Sequence, residues 1–235
     1  MNYLAHLALA DGSPESILGN FLGDFAKGRP EGRYVPAVVR GIRLHRSVDG
    51  FTDAHPVVRR AIGRLPAAHR RFAGIAIDMA FDHFLAARWA HTASADFRRH
   101  RTHAYSVLTA RYDILPPRLQ RILPSLRDDD WLESYAHFDG MVFALKRMSR
   151  RLSRENPLAM LANDIGANYD ALHADFDAFW PDVKVFAIGE GRRLARRIPD
   201  SGSGSHPDDT AATNAVEPEA SSGHLREQAR SYKSS

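Results

Sequence analysis

Cysteine is absent from the 235-residue sequence, and its absence removes several kinds of chemistry. No disulfide can form, no thiol can act as a nucleophile, and no zinc site can be built on cysteine thiolates. Long apolar runs are missing as well, since none reaches the roughly 18 residues of a membrane-spanning helix. The N-terminal stretch MNYLAHLALADGS lacks the basic region of a signal peptide. We therefore expect a soluble, cytoplasmic protein without a membrane span.

The motifs of several familiar enzyme classes are also missing. The sequence contains no glycine-rich phosphate loop, GxSxG elbow, HExxH motif or EF-hand loop. It also has no convincing segment in which apolar and polar residues alternate between hairpin turns, as they do in β-strands. Apolar residues recur instead with the helical period of 3.6. The pattern predicts an all-α protein with a single compact multi-helix domain.

The C-terminal stretch differs in composition from the rest of the chain. Residues 200–235 are rich in Ser, Gly, Ala and Asp, and Tyr232 is their only aromatic residue. Such a segment cannot bury enough apolar surface to offset the entropy lost on ordering. We therefore predict a helical domain over 1–199 and a disordered tail over 200–235.

Positive charge is concentrated in the predicted domain. Residues 1–199 hold 29 basic and 22 acidic residues, a net charge of +7 with histidine neutral, and arginine greatly outnumbers lysine. A basic body favours an acidic partner, which could be a nucleic acid, an anionic membrane, a phosphate or an acidic protein. A coding bias toward arginine is the alternative explanation.

Three stretches place Asp or His beside apolar residues at helical spacing. They are GNFLGD (19–24), HRSVDGFTDAHP (45–56) and DMAFDH (78–83). The last stretch lies within residues 66–91, which are apolar on almost every face and predict a central, buried helix. A buried carboxylate is costly unless it is paired or binds a metal, so Asp78 and Asp82 are the strongest candidates.

Carboxylate and imidazole groups are ligands of Mn²⁺ and Mg²⁺, and such a cation could support cleavage of a phosphodiester bond. His83 lies about 140° around the helix from Asp78, so the two cannot both point directly into one site. Three further residues have ordinary explanations. His6 is interpreted as a core histidine, Asp49 as the partner of Arg46 or His45, and Asp53 as a cap of the next helix.

Four segments together resemble the acyl carrier protein phosphodiesterase family, also called ACP hydrolase. They are MNYLAHLALA, GNFLGDFAKG, GIRLHRSVDGFTDAHP and DMAFDHFLAARW, and the resemblance runs over roughly residues 1–195. It implies an all-helical fold distantly related to HD-domain metal phosphohydrolases. It also implies hydrolysis of holo-acyl carrier protein to apo-acyl carrier protein and 4′-phosphopantetheine. The implied cofactor is a divalent metal, Mn²⁺ before Mg²⁺.

The resemblance also assigns residues to the site. It implies that Asp24, His45 and Asp78 are catalytic, and that these three together with Asp82 and His83 hold the metal. Arg43 and Arg46 flank His45 and are expected to bind the acidic carrier protein. The chain has no literal His-Asp dipeptide, only the reversed pair Asp82-His83.

Two other functions stay open at this point. The same site could act on a nucleotide or another small phosphodiester, as in HD-like phosphohydrolases. Alternatively, the chain could be a non-catalytic helical module that binds an acidic partner. A nucleic acid is not the expected partner, and the sequence leaves the oligomeric state and the number of metal ions open.

Overall fold

The computed structural model describes residues 1–89, 96–152 and 155–200. These ranges contain eleven α-helices and two short 3₁₀ turns but no strand, which confirms the predicted all-α class. The helices are α1 (Tyr3–Ala8), α2 (Pro14–Leu22), α3 (Pro36–Ala54), α4 (Pro56–Gly63), α5 (Arg70–Ala87), α6 (Phe97–Ala110), α7 (Pro117–Asp128), α8 (Trp131–Ser134), α9 (Phe138–Arg151), α10 (Leu158–Ala167) and α11 (Tyr169–Arg197). The predicted tail lies outside the described residues except for Asp200, and the HD-domain relationship stays a prediction.

Helix α5 lies at the centre of the core. It contacts α1, α4, α9, α10 and α11, and every residue from Met79 to Ala86 is buried. Phe81 packs against Phe176 and Phe179 of α11, with both ring centroids 5.6 Å away. The prediction of a central helix that is buried on almost every face is confirmed.

Helices α2 and α3 cross at two glycines. A Cβ atom on Gly19 of α2 would lie 2.4 Å from the Val38 carbonyl oxygen and 2.7 Å from the Cα atom of Gly41. A side chain at Gly19 would therefore force α3 away. The contact lets the two backbones touch and so brings the C-terminal end of α2 close to the middle of α3.

Several helix boundaries differ from those expected. Gly28 predicts the end of the second helix, but α2 already ends at Leu22. Gly50 and Pro56 predict that the third helix ends before Asp53, but α3 continues to Ala54. The helix expected to begin at Ser94 is capped instead by Asp96, whose carboxylate accepts from the backbone of Arg99. Ser94 itself lies outside the described residues.

The pair Trp180-Pro181 predicts the end of a long helix that begins at Pro157, but this prediction is wrong, because α11 runs through Pro181. A proline inside a helix removes one hydrogen bond. Here the buried side chains of Trp180 and Val183 keep the helix against the core on both sides of the proline. The break falls at Asn168, where the side-chain amide donates to the Asp164 carbonyl.

No helix in the described ranges has both the length and the apolar character needed to cross a bilayer.

Candidate active site

Helix α3 carries the two residues around which the polar groups of the site assemble. His45 and Asp49 are four residues apart and share one face of the helix. The Nε2 atom of His45 lies 3.4 Å from Asp49 Oδ2 and 3.4 Å from Asp24 Oδ1. Asp24 follows the end of α2, and all three side chains are buried. The crossing of α2 and α3 thus brings Asp24 and His45 into contact.

The short helix α1 adds a second imidazole to this group. The ring of His6 stacks on that of His45 with a centroid separation of 3.6 Å and an interplanar angle of 18°. Its Nε2 atom lies 3.2 Å from Asp49 Oδ1. We call His6, Asp24, His45 and Asp49 the His/Asp cluster. Its members come from three different parts of the chain and meet in a buried position.

The orientation of His45 is fixed by the backbone of α2. Its Nδ1 atom lies 2.7 Å from the carbonyl oxygen of Asn20 and must donate a hydrogen to it. A Cβ atom on Gly23 would lie 2.1 Å from the Cγ atom of His45, so only glycine leaves room for the ring. These two contacts turn Nε2 toward the carboxylates, as backbone carbonyls do for many metal-binding histidines.

The two imidazoles titrate in opposite directions. Burial alone would lower the pKa of His45, but the carboxylates of Asp49 and Asp24 outweigh it and raise that pKa to about 9. Burial and the positive charge of His45 lower the pKa of His6 to about 4. Burial opposes ionisation of Asp49, yet His45 and the Met1 amino group hold its pKa well below its ordinary value. The carboxylates of the cluster therefore favour one positive charge, on His45, while His6 stays neutral.

The donor atoms of the cluster suit a divalent cation. Both ring nitrogens of His6 and the Nε2 atom of His45 are buried and make no hydrogen bond of normal geometry within the described part of the chain. One donor atom each from His6, His45 and Asp49 lies within 4.8 Å of the others. Imidazole and carboxylate are a suitable donor set for Mn²⁺. The residues present thus fit a divalent cation.

Asp78 lies at the edge of the cluster. Its side chain is 19 % exposed, against 6 % for Asp49. Its Oδ1 atom lies 3.2 Å from the amino nitrogen of Met1, which in turn lies 3.5 Å from Asp49 Oδ1. The Met1 amino group therefore links Asp78 to the cluster, and Asp78 is the acidic side chain that solvent reaches most readily there.

Asp82 holds the start of α1. Its two carboxylate oxygens accept hydrogen bonds from the backbone of Leu4 at 2.9 Å and of Ala5 at 3.2 Å. Burial raises the pKa of Asp82 to about 7, although these two donors act in the opposite direction. Both oxygens are thus engaged by backbone N–H groups immediately before His6. This geometry favours a role in positioning His6.

His83 faces another part of the core. Its Nδ1 atom donates to the carbonyl oxygen of Tyr135 at 2.8 Å, and its Nε2 atom lies 2.9 Å from the hydroxyl of Tyr169. Neighbouring residues on a helix are about 100° apart, so His83 points away when Asp82 faces α1. The structure does not bring His83 together with the His/Asp cluster.

Arg43 and Arg46 hold the loop between α2 and α3. The guanidinium of Arg43 makes an ion pair with Glu31, with its closest contact at 2.7 Å. Arg46 donates to the carbonyl oxygens of Ala26 and Gly28. Their expected role in binding the substrate stays a prediction.

The site predicted from the sequence does not include His6 or Asp49, two members of the cluster. His6 was interpreted as a core histidine because it stands alone on a short apolar helix. Asp49 was assigned to a pair with Arg46 or His45, and its contact with His45 is indeed present. The spacing of four between His45 and Asp49 was the available signal, whereas nothing in the sequence places α1 beside α3.

Comparison with known proteins agrees with the four resembling segments. Residues 1–183 match the family described as acyl carrier protein phosphodiesterase. A protein of that name from Serratia proteamaculans is 39% identical over 184 residues, which cover 78% of this chain and 95% of the relative. One from Photorhabdus laumondii is 40% identical over 77% of this chain and 90% of the relative. One from Escherichia coli is 38% identical over 190 residues, which cover 80% of this chain and 97% of the relative.

No solved structure matches the chain. The family match spans all four residues of the His/Asp cluster and ends inside α11. On this sequence evidence, the chain belongs to the acyl carrier protein phosphodiesterase family.

Proposed function

We propose that the protein is a metal-dependent phosphodiesterase that hydrolyses holo-acyl carrier protein to the apo protein and 4′-phosphopantetheine. The observation that carries this proposal is the His/Asp cluster, in which buried imidazole nitrogens without hydrogen bonds of normal geometry face two carboxylates. The names of the relatives support the choice of reaction and substrate.

His6, His45, Asp49 and Asp24 would hold the cation. Mn²⁺ is the expected ion and Mg²⁺ the alternative, since both accept carboxylate ligands, while the two imidazoles favour the former. When bound, the cation would supply Lewis-acid stabilisation of the charge that develops on the phosphoryl oxygens. Asp24 and Asp49 balance its charge, and the hydrogen bond from His45 to Asn20 keeps the imidazole in the tautomer that can bind a metal.

Asp78 is the proposed proton acceptor for the attacking water. It is the most exposed carboxylate beside the cluster, so both water and substrate can reach it. Its Oδ1 atom lies 3.2 Å from the Met1 amino nitrogen. An ionised carboxylate at this position can take a proton from water as the phosphodiester is attacked.

The charge of the domain supports an acidic protein substrate. A net charge of +7 over residues 1–199 attracts an acidic carrier protein and speeds its encounter with the site. Exposed arginines such as Arg29, Arg33 and Arg59 contribute to this attraction near α3 and its preceding loop. The resulting association would weaken as the salt concentration rises.

A substrate panel tests the proposal. Holo-acyl carrier protein, nucleotides and a simple aryl phosphodiester are each incubated with the protein plus Mn²⁺, Mg²⁺ or a chelator. The expected result is release of 4′-phosphopantetheine from the carrier protein with Mn²⁺ and none with the chelator. Turnover of a nucleotide alone would contradict the proposed substrate, and equal turnover in the chelator would contradict the role of the metal.

A further inference from the structure

A polar pocket lies where the end of α11 meets α3 and the loop that precedes α3. Its volume is about 350 Å³. Three arginines line it, namely Arg43, Arg193 and Arg197. The other lining residues are Glu31, Leu194 and Ile198. We call it the arginine pocket. Guanidinium groups bind carboxylates through two parallel hydrogen bonds, so a pocket of this composition suits an acidic ligand.

The arginine pocket carries a net positive charge. Arg43 makes an ion pair with Glu31 at 2.7 Å, and Arg193 makes one with Glu190 at 2.6 Å. Arg197 lines the pocket, is exposed, and makes no ion pair within the described part of the chain. Three guanidinium groups thus face two carboxylates, which leaves one positive charge for an incoming acidic residue.

The chain leaves α11 at this pocket, and the first acidic residue after the helix already binds an arginine there. Ile198 lines the pocket, and its carbonyl oxygen accepts a hydrogen bond from Arg40 at 2.8 Å. The same guanidinium contacts both carboxylate oxygens of Asp200, at 2.9 and 3.0 Å. Arg40 and Arg43 are three residues apart and so are neighbours on α3. Asp200 is therefore held beside the arginine pocket.

The sequence that follows Asp200 separates its charges. Residues 201–225 hold four acidic residues but neither lysine nor arginine, a net charge of −4 with histidine neutral. Residues 226–235 hold three basic residues and one acidic residue, a net charge of +2. The four acidic residues all fall within 208–219, which we call the acidic segment. They are Asp208, Asp209, Glu217 and Glu219. Negative charge is thus placed in the part that is closer in sequence to the arginine pocket.

The acidic segment is tethered within reach of the pocket. Asp208 follows Asp200 by eight residues. Since a chain extends by at most about 3.5 Å per residue, the acidic segment begins no more than about 28 Å from Asp200. A short tether gives an effective concentration of about 1 mM, so weak contacts suffice for binding. Each exposed ion pair contributes little, but several acidic residues act together here.

We infer that the acidic segment binds the arginine pocket and there competes with the acidic carrier protein. Arg43 lines the pocket and is also expected to bind the carrier protein, so the two ligands would meet the same positive surface. The competition rests on the proposed function, whereas the binding of the acidic segment does not. The family match ends at residue 183, so the acidic segment lies outside the region that carries the His/Asp cluster.

Cleavage by a glutamate-specific endopeptidase tests the contact in the full-length protein. Glu219 lies in the acidic segment, whereas Glu227 lies beyond it and is an internal control. Intact-mass spectrometry gives the rate of cleavage after Glu219 relative to Glu227, which is compared with the same ratio in a synthetic peptide of residues 201–235. Cleavage follows the fraction that is not bound, so the ratio in the protein should be at least about threefold below that in the peptide. It should approach the peptide ratio at about 1 M NaCl, where the screening length is about 3 Å.

Arg197→Gln and Arg196→Gln are matched variants for this measurement. Both residues are exposed at the end of α11, but Arg197 lines the arginine pocket and Arg196 does not. Arg197→Gln should bring the cleavage ratio close to that of the peptide, and Arg196→Gln should keep the wild-type ratio. A wild-type ratio equal to that of the peptide, or equal ratios in the two variants, would overturn the inference.

Kinetics with holo-acyl carrier protein test the competition. One variant replaces all four acidic residues of the acidic segment by their amides, as Asp208→Asn, Asp209→Asn, Glu217→Gln and Glu219→Gln. Its KM should fall about threefold with kcat unchanged, because a threefold protection means that only about a third of the wild-type molecules have an open pocket. An unchanged KM would contradict the competition. If the wild type cleaved no carrier protein but showed the expected cleavage ratios, the proposed reaction would fail while the contact would stand.

Discussion

The imidazole rings of His6 and His45 stack 3.6 Å apart, and the two oxygens of Asp49 approach one ring each, at 3.2 and 3.4 Å. Two stacked imidazoles cannot both carry a charge at low cost. Their pKa values accordingly separate, to about 4 for His6 and about 9 for His45. The N-terminal helix is therefore part of the candidate site, because it supplies a neutral imidazole beside a charged one.

Replacing His6 should weaken metal binding. In the wild type, Mn²⁺ at a hundred times its Kd should stabilise the native state by about 2.7 kcal/mol and raise Tm by about 5–10 °C. His6→Gln removes one imidazole donor and should reduce this shift by more than half. Thermal melts with and without Mn²⁺ measure it. The exposed His103 is the control, and an undiminished shift in His6→Gln would rule that residue out as a ligand.

Gly23 should not tolerate a methyl group. The Cβ atom of Gly23→Ala would overlap the ring of His45, which is buried and cannot rotate away freely. We expect a loss of stability of about 1–3 kcal/mol from overpacking, together with a large loss of activity. Urea unfolding and the release of 4′-phosphopantetheine measure the two effects.

Gly50→Ala is the matched control for Gly23→Ala. Gly50 lies inside α3, and a Cβ atom on it would have nothing within 4 Å. This substitution should stabilise the protein by about 0.5–1 kcal/mol, because alanine loses less conformational entropy in a helix. Equal stability and equal activity of the two alanine variants would mean that the close contact between Gly23 and His45 affects neither folding nor activity.

Asp82 should stabilise α1 without binding the metal. Asp82→Ala leaves the backbone N–H groups of Leu4 and Ala5 without their acceptor and should cost about 1–3 kcal/mol in urea unfolding. Asp82→Asn keeps one acceptor oxygen and should retain most of the Mn²⁺-dependent rise in Tm. Complete loss of that rise in a folded Asp82→Asn variant would instead support the ligand role that the sequence suggested.

Asp175 should make the fold sensitive to acid. Burial opposes its ionisation, but hydrogen bonds from Arg64 and Arg60 outweigh this and hold its pKa below the ordinary value of 3.8. The unfolded chain thus takes up this proton at higher pH than the native state does. The stabilisation is present above pH 3.8 and is lost as the pH falls through the native pKa.

Asp175→Asn should therefore make the stability of the protein depend less on pH in acid. Its stability relative to the wild type should be lower at pH 7, by about 1 kcal/mol, and the difference should shrink below pH 3.8. Urea unfolding across this range measures it. If the difference in stability stayed constant with pH, the ionisation of Asp175, which pairs α4 with α11, would not be linked to folding.

The fold could be predicted from the sequence to a large extent, because its signals are local. Ser13 and Pro14 mark the start of α2, and the Ser13 hydroxyl accepts from the backbone of Ser16. The near-continuous apolar surface of α5 indicated the centre of the core. Pro181 wrongly predicts the end of a helix, because the burial of its neighbours outweighs its local tendency to break α11.

The candidate site was harder to predict, because it depends on how three helices meet. Helical phase places His45 and Asp49 on one face but does not say which helix that face meets. The close approach of Gly19 and Gly41 sets the position of α2, and the hydrogen bonds that Asp82 accepts from the backbone at the start of α1 set that of α1. The backbone of Ala5, whose N–H group donates to Asp82, lies 77 residues away in sequence, so the sequence alone does not reveal this contact.

Mass spectrometry of holo-acyl carrier protein incubated with Mn²⁺ and either Asp49→Asn or Asp53→Asn tests whether the His/Asp cluster is the site of the reaction. Asp49→Asn keeps the shape of the side chain but removes the charge shared by His6 and His45, whereas Asp53 lies one turn further along α3. We expect Asp53→Asn to form apo-acyl carrier protein at the wild-type rate and Asp49→Asn to form almost none. Equal rates for the two variants would contradict the assignment of the His/Asp cluster as the site of the reaction.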